Sequence, residues 1–308
     1  MVKVLVFSAT GRQGNALAHA LLSSKKQQHS VRAYVRDAST AKAKALAAAG
    51  AEIFVGGDWD KDVASVEKAT EGVDAVFFIS NLFLDDLEVE VRSARNIVEA
   101  ARRAGVRHVL YSTVAGLEKW GGLEGSGEEP PQKANGEKLV KNAGFPHYTL
   151  LRPTEFMTNY TEEAGARFCV PELTRTGVWR TPIPGDFELA VVDPEDIGRA
   201  AAAAIESPDG FGGPTRTLEI AGERVRVADV VALLAAAAGR DLRMETMPLE
   251  EARAAAETNP SIAAELVRLE LVDGRSFAVD HFGLGFRSFK DHVALNKERI
   301  AEVYKNVP

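Results

Sequence analysis

The chain has 308 residues, 45% hydrophobic and 26% charged, enough apolar content to bury a sizeable core and far from the composition of a disordered chain. A formal net charge of −7 excludes a broad basic surface of the kind that neutralises nucleic-acid phosphates, so no direct nucleic-acid partner is expected. The single cysteine, Cys169, excludes an internal disulfide framework and any multi-cysteine zinc site, and with no histidine cluster no metal is expected.

The sequence opens on an apolar run, Met1 to Phe7, too short to span a membrane and without a signal-peptide cleavage pattern, which points to a cytoplasmic protein with no membrane partner. Further short apolar runs at 31–35, 53–55, 75–79, 106–111 and 148–151 read as strands. Between them, 13–23, 40–49, 63–70, 87–104 and 134–142 are long enough, and polar enough on one side, to be covering helices. This alternation, with strands too apolar to face water, predicts an α/β fold: a doubly wound parallel-sheet, Rossmann-type domain.

After Pro153 the rhythm changes. Pro171, Gly177, Pro182 and Pro184 punctuate 168–184, which reads as short extended pieces opening a smaller α+β lobe. Asp193 then reads as an N-cap and Pro194 as the first residue of a helix at 197–205, with Glu195 and Asp196 at its positive end; this helix is expected to return to the first domain. Helices at 227–238, 249–257, 261–271 and 289–304 and a strand at 242–247 complete the chain. The expected division is 1–152 plus about 187–220 for the dinucleotide-binding domain and about 153–186 plus 221–308 for the smaller substrate or partner lobe.

The strongest chemical signal lies where the first strand turns into the first helix: Ser8, Ala9, Thr10, Gly11, Arg12, Gln13, Gly14. Gly11 allows a pyrophosphate to approach the backbone, Gly14 allows helix and strand to pack closely, and the helix N-terminus attracts negative charge. Ser8 stands where a glycine triplet would place its first glycine. After the second strand comes Arg36, not the acid that usually takes the ribose hydroxyl of NAD; a guanidinium there suits a 2′-phosphate, and Arg12 is placed to add a second. NADP(H) is therefore expected ahead of NAD(H). Asp58, after the third strand, is placed either to reach the adenine edge or to sit solvated in a turn. Ser80 and Asn81 end the fourth strand and Thr113 the fifth, at the carboxyl edge where ligands bind in parallel sheets. Thr113 is a candidate to hydrogen-bond a substrate oxygen.

These segments together, with Leu150, Leu151, Arg152, Pro153, Thr154, Glu155, Phe156, Met157, Thr158, Asn159 and the run from Val192 to Gly198, resemble the NmrA-like family. That family belongs to the atypical short-chain dehydrogenases/reductases and is similar to the isoflavone-reductase-like enzymes. The resemblance implies two kinds of role: reductases, and redox-sensing regulators that bind dinucleotide without evident turnover. It implies that Pro153, Phe156 and Asn159 lie along the nicotinamide, with Phe156, Met157 and Trp179 as a candidate apolar substrate wall. Ordinary short-chain dehydrogenases use Tyr-x-x-x-Lys, and here Glu129 stands where the tyrosine would be while Lys133 matches the lysine. Lys133 is then the candidate to anchor the ribose or to supply a proton. Two functions follow: an NADPH-dependent reductase of a small carbonyl, enone or quinone, its site in the crevice between the lobes, or a silent NADP(H) sensor acting on a protein partner such as a transcription factor.

Overall fold

The computed structural model describes residues 1–79, 88–117, 132–209, 215–271, 274–280 and 282–308. The chain divides into two compact units, Met1–Pro153 with Glu195–Glu219 and Thr154–Pro194 with Ile220–Pro308.

The first unit is built on a seven-stranded sheet. Its strands are β1 (Val2–Val6), β2 (His29–Val35), β3 (Glu52–Val55), β4 (Ala75–Ile79), β5 (His108–Ser112), β6 (His147–Pro153) and β10 (Thr215–Ile220), in the order β10-β6-β5-β4-β1-β2-β3. β1 to β6 are mutually parallel along the sheet. The chain builds outward from β1 to β3 and then returns to the other side of β1 with β4, so β1 and β4 flank a topological switch point, where open parallel sheets bind ligands. All five residues of β5 are buried, as a strand covered on both faces requires.

The helices α1 (Arg12–Leu22), α2 (Ala41–Ala48), α3 (Val63–Thr70), α4 (Glu88–Arg103) and α5 (Gln132–Asn142) cover this sheet. Two glycines set how closely helices approach. A Cβ at Gly136 would lie 2.5 Å from the Tyr111 hydroxyl, so α5 packs directly onto the ring of Tyr111, itself stacked on Phe78 at 4.5 Å. The helix Pro194–Glu206 joins this unit as expected: a Cβ at Gly198 would lie 2.6 Å from Ala16 and the Leu17 nitrogen of α1. Beneath the sheet edge a buried polar network replaces apolar packing. Arg152 donates from Nε and Nη2 to the two oxygens of Glu137, both at 2.8 Å, and Thr113 donates to Glu137 at 2.9 Å.

The second unit has a three-stranded sheet, β11-β9-β7, of β7 (Glu155–Phe156), β9 (Glu188–Val192) and β11 (Glu223–Arg226), and a parallel pair of β8 (Val178–Thr181) with β12 (Arg243–Thr246). Its own core gathers Met157, Tyr160, Trp179, Leu234, Phe289 and Tyr304. Asp193 accepts from Arg287 and bonds His292, each at 2.6 Å, and His292 meets Thr161 at 2.8 Å.

Three expectations are corrected here. The stretch 168–184 is extended at β8 but helical before it: Pro171 occupies the first turn of a helix, Pro171–Thr176, that Gly177 ends in the left-handed conformation (φ 78°), so these two residues are helix punctuation. The strand Glu188–Val192, expected with the first domain, pairs antiparallel with β11 in the second unit. Met157 and Trp179, expected in an apolar substrate wall, are core residues at 0% and 3% exposure, and the Trp179 indole donates to Glu265 at 2.8 Å.

Candidate functional site

The site in the first unit starts from the turn after β1. Phe7 donates its amide to the Phe77 carbonyl at 2.9 Å, and the chain then reverses at Ser8, whose φ of 54° lies in the left-handed region. That conformation normally falls to glycine and costs a residue with a Cβ about 1–2 kcal/mol. The Gly11 amide closes the turn on the Ser8 carbonyl at 2.8 Å. A Cβ at Gly14 would lie 2.4 Å from the Ser8 carbonyl oxygen and one at Gly11 3.0 Å from it, so the loop's own geometry requires glycine at 14 and strongly favours it at 11. Gly11 is the N-cap of α1 and no side chain caps the helix, leaving its amide end to attract an anion. Gln13, a candidate for the cofactor loop, turns its side chain towards β5. It is buried, and its side-chain oxygen accepts from Ser112 at 2.6 Å, tying the loop to β5. Thr10 and Arg12 are half-buried in the turn.

Arg36 follows β2 with its side chain 81% exposed, and its Nη1 lies 3.8 Å from Asp58 Oδ1. The turn that carries Asp58 is fixed from below. The Tyr34 hydroxyl donates to the Gly57 carbonyl at 3.0 Å, and Asp62 accepts from the amides of Gly57 and Ser65 at 3.0 and 3.1 Å. Burial first, then the charge of Asp62, pushes Tyr34 up to about 12, which keeps it a donor. From α4, Asn96 donates to the Trp59 carbonyl at 2.8 Å. A cleft of about 180 Å³ results, its wall including Ser8, Thr10, Arg36, Asp58, Trp59 and Lys61. Trp59 is braced edge-on by Phe7 at 5.3 Å.

At the ends of β5 and β6 the polar groups are committed to the fold. Thr113, expected to offer its hydroxyl to a substrate, donates it to Glu137 and is 6% exposed, so that role is withdrawn. Arg152 and Thr113 hold Glu137 below the usual carboxylate range, overcoming the burial that works the other way. Lys133, at the start of α5, meets Glu90 of α4 at 2.6 Å with the carboxylate almost wholly buried. Pro153 is buried at the end of β6, its carbonyl accepting from Ala115 at 3.0 Å.

The structure thus brings together Ser8, Thr10, Arg36 and Asp58 around one cleft and sets Lys133 in an ion pair. Phe156 and Asn159 belong to the second unit, where both are half-buried and Asn159 donates to Glu155 at 3.1 Å. Ser80, Asn81 and Glu129 lie outside the described residues. Among the described residues no group of three or more His, Cys, Asp or Glu could hold a metal, and no helix is long and apolar enough to cross a membrane. Sequence reasoning missed Trp59 and Lys61 in the cleft, Glu90 beside Lys133, and the partnership of Glu137 with Arg152. Glu90, set among Glu88, Arg92 and Arg95, reads as part of a solvated face and gave no signal, and nothing local in the sequence ties Glu137 to Arg152.

A model of the NmrA-like family matches residues 2–281. Over 255 residues the chain is 30% identical to the (4-alkanoyl-5-oxo-2,5-dihydrofuran-3-yl)methyl phosphate reductase of Streptomyces griseus subsp. griseus, covering 82% of this chain and 79% of that one. Among solved structures it is similar to the Citrobacter sp. triphenylmethane reductase complexed with NADP(H), with a TM-score of 0.68, 21% identity, and 96% and 100% of the two chains covered. It is also similar to NmrA, a negative transcriptional regulator, in complex with NADP, with a TM-score of 0.64, 19% identity, and 99% and 95% covered. The structural likenesses bear on the fold. The family match spans nearly the whole chain and agrees with a doubly wound sheet whose glycine loop lies at the switch point, so this chain belongs to the NmrA-like family.

Proposed function

We propose that this chain binds NADP(H) in the cleft of its first unit and reduces a small carbonyl, enone or quinone. The observation that carries the cofactor reading is Arg36: a largely exposed guanidinium that shares one cleft with the turn of the uncapped helix α1. These residues fit an adenine dinucleotide with a 2′-phosphate. The amide end of α1 suits the pyrophosphate and Arg36 the 2′-phosphate, through charge-assisted hydrogen bonds. Bound NADPH supplies the hydride. The chain's part is to hold a substrate oxygen and give it a proton, and Lys133 is the group we assign to that step, with Glu90 holding the ammonium in place between turnovers. The reductase name of the Streptomyces griseus relative supports this reading.

A second reading is favoured by one specific observation. The Thr113 hydroxyl after β5 and the Lys133 ammonium at the start of α5 are both engaged by carboxylates, Glu137 and Glu90, as a sensor without turnover would tolerate. In that case bound dinucleotide shifts the population of a surface seen by a protein partner, and the likeness to the NmrA regulator points the same way. Lys133→Ala separates the two. A reductase loses ~10²- to 10⁴-fold in turnover with a smaller change in NADPH affinity. The assay follows NADPH oxidation with a panel of quinones, enones and aldehydes, alongside cofactor titration. No turnover above background with any of them, and partner affinity that tracks the bound dinucleotide, would replace the reductase reading with the sensor.

A further inference from the structure

We infer that Asp58 sets the balance between the two dinucleotides by competing for Arg36, an inference that rests on the cleft being the adenosine end of a dinucleotide site. The two charges face each other across the cleft at 3.8 Å, and both side chains are more than half exposed. A pair so open to water holds weakly, so an incoming phosphate displaces it at little cost. The carboxylate does not leave when that happens. Its turn is fixed through Tyr34 to Gly57, Asp62 to Gly57 and Asn96 to Trp59, while the Asp58 carbonyl accepts from the amides of Lys61 and Asp62 at 3.0 and 2.7 Å. A negative charge therefore stays beside the position Arg36 offers to a 2′-phosphate. It repels that phosphate, and it accepts a hydrogen bond from a ribose 2′-hydroxyl in its place.

The consequence is a cofactor preference held below what Arg36 alone would give, with NADP(H) and NAD(H) both bound. Among the described residues Arg36 is the one hydrogen-bonding or ion-pair partner of the Asp58 side chain, so Asp58→Asn alters the charge without removing a structural contact. In this exposed setting the loss of one like charge next to a phosphate should tighten NADP⁺ binding about three- to tenfold at low salt, and added salt should shrink the gain. NAD⁺ binding should weaken, because the ribose 2′-hydroxyl loses a charged acceptor.

The test is calorimetric titration of wild type and Asp58→Asn with NADP⁺, NAD⁺ and the half-molecules adenosine 2′,5′-bisphosphate and adenosine 5′-monophosphate. Opposite movement of the 2′-phosphorylated and unphosphorylated ligands, seen in both pairs, is the expected result. Equal loss for all four would mean that Asp58 accepts from the adenine edge, and no change would make it a bystander; either overturns the inference. If wild type binds none of the four, the dinucleotide reading itself falls, and the inference with it.

Discussion

Replacing Arg152 with methionine tests whether the polar network under the ends of β5 and β6 is structural. The guanidinium makes two 2.8 Å hydrogen bonds to Glu137, and the two side chains are 5% and 3% exposed, so the variant leaves a buried carboxylate with Thr113 and a partly exposed Lys141 as partners. Breaking one side of such a pair costs about 3–5 kcal/mol, and the remaining partners put this case near the lower figure. Methionine keeps most of the volume, so the loss is electrostatic and not a cavity. The sign with pH follows. In wild type Glu137 is held below its ordinary 4.5, so its contribution is complete above 4.5 and lost as pH falls through the lower folded value. Without Arg152 burial is opposed only by Thr113 and Lys141, so the folded value rises, and the variant's deficit is greatest at pH 7 and narrows towards pH 4. Urea unfolding followed by circular dichroism at pH 7 and pH 4.5 measures both. A deficit under about 1 kcal/mol at pH 7, or one that grows as pH falls, would refute the reasoning. The double replacement Glu137→Gln with Arg152→Met should recover much of the loss.

Other expectations follow from single contacts. Gly14→Ala places a Cβ against the Ser8 carbonyl, and should cost about 1–3 kcal/mol by thermal unfolding while weakening dinucleotide binding; unchanged stability would show that the loop moves freely. Tyr34→Phe removes the bond to Gly57 and should cost about 1 kcal/mol and loosen the Asp58 turn, read as a weaker NADP⁺ affinity at intact secondary structure. His108 is pushed down to about 4, by burial first and by His147 second. Its neutral form is the folded form, so stability is complete above 6.5 and falls by up to about 3 kcal/mol as pH drops from 6.5 to 4. A His108→Gln chain with the same pH profile would contradict this.

The sheet was legible because β4 is an unbroken apolar run, and β1 and β5 are mostly apolar, as strands covered on both faces require. The glycine loop was legible by position, following such a run and preceding a helix. Gly11 and Gly14 were read for ligand approach and helix packing, whereas the structure shows that both meet the Ser8 carbonyl first, a contact invisible until the left-handed turn at Ser8 is known. Thr113 and Gln13 were read as facing a ligand because strand ends and helix starts usually do; their partners, Glu137 and Ser112, are 24 and 99 residues away, and nothing local in the sequence announces them. Trp179 shows the same limit from the other side. An aromatic near a supposed pocket and one in a core have the same local sequence, and burial decides between them.

The most direct test of the account is calorimetric titration of NADPH and NADH into wild type and Arg36→Ala. The account predicts that wild type binds NADPH and that the variant loses about 1.5–3 kcal/mol for NADPH, more than tenfold in affinity, with little change for NADH. Undiminished NADPH binding to the variant, or equal losses for both dinucleotides, would contradict it.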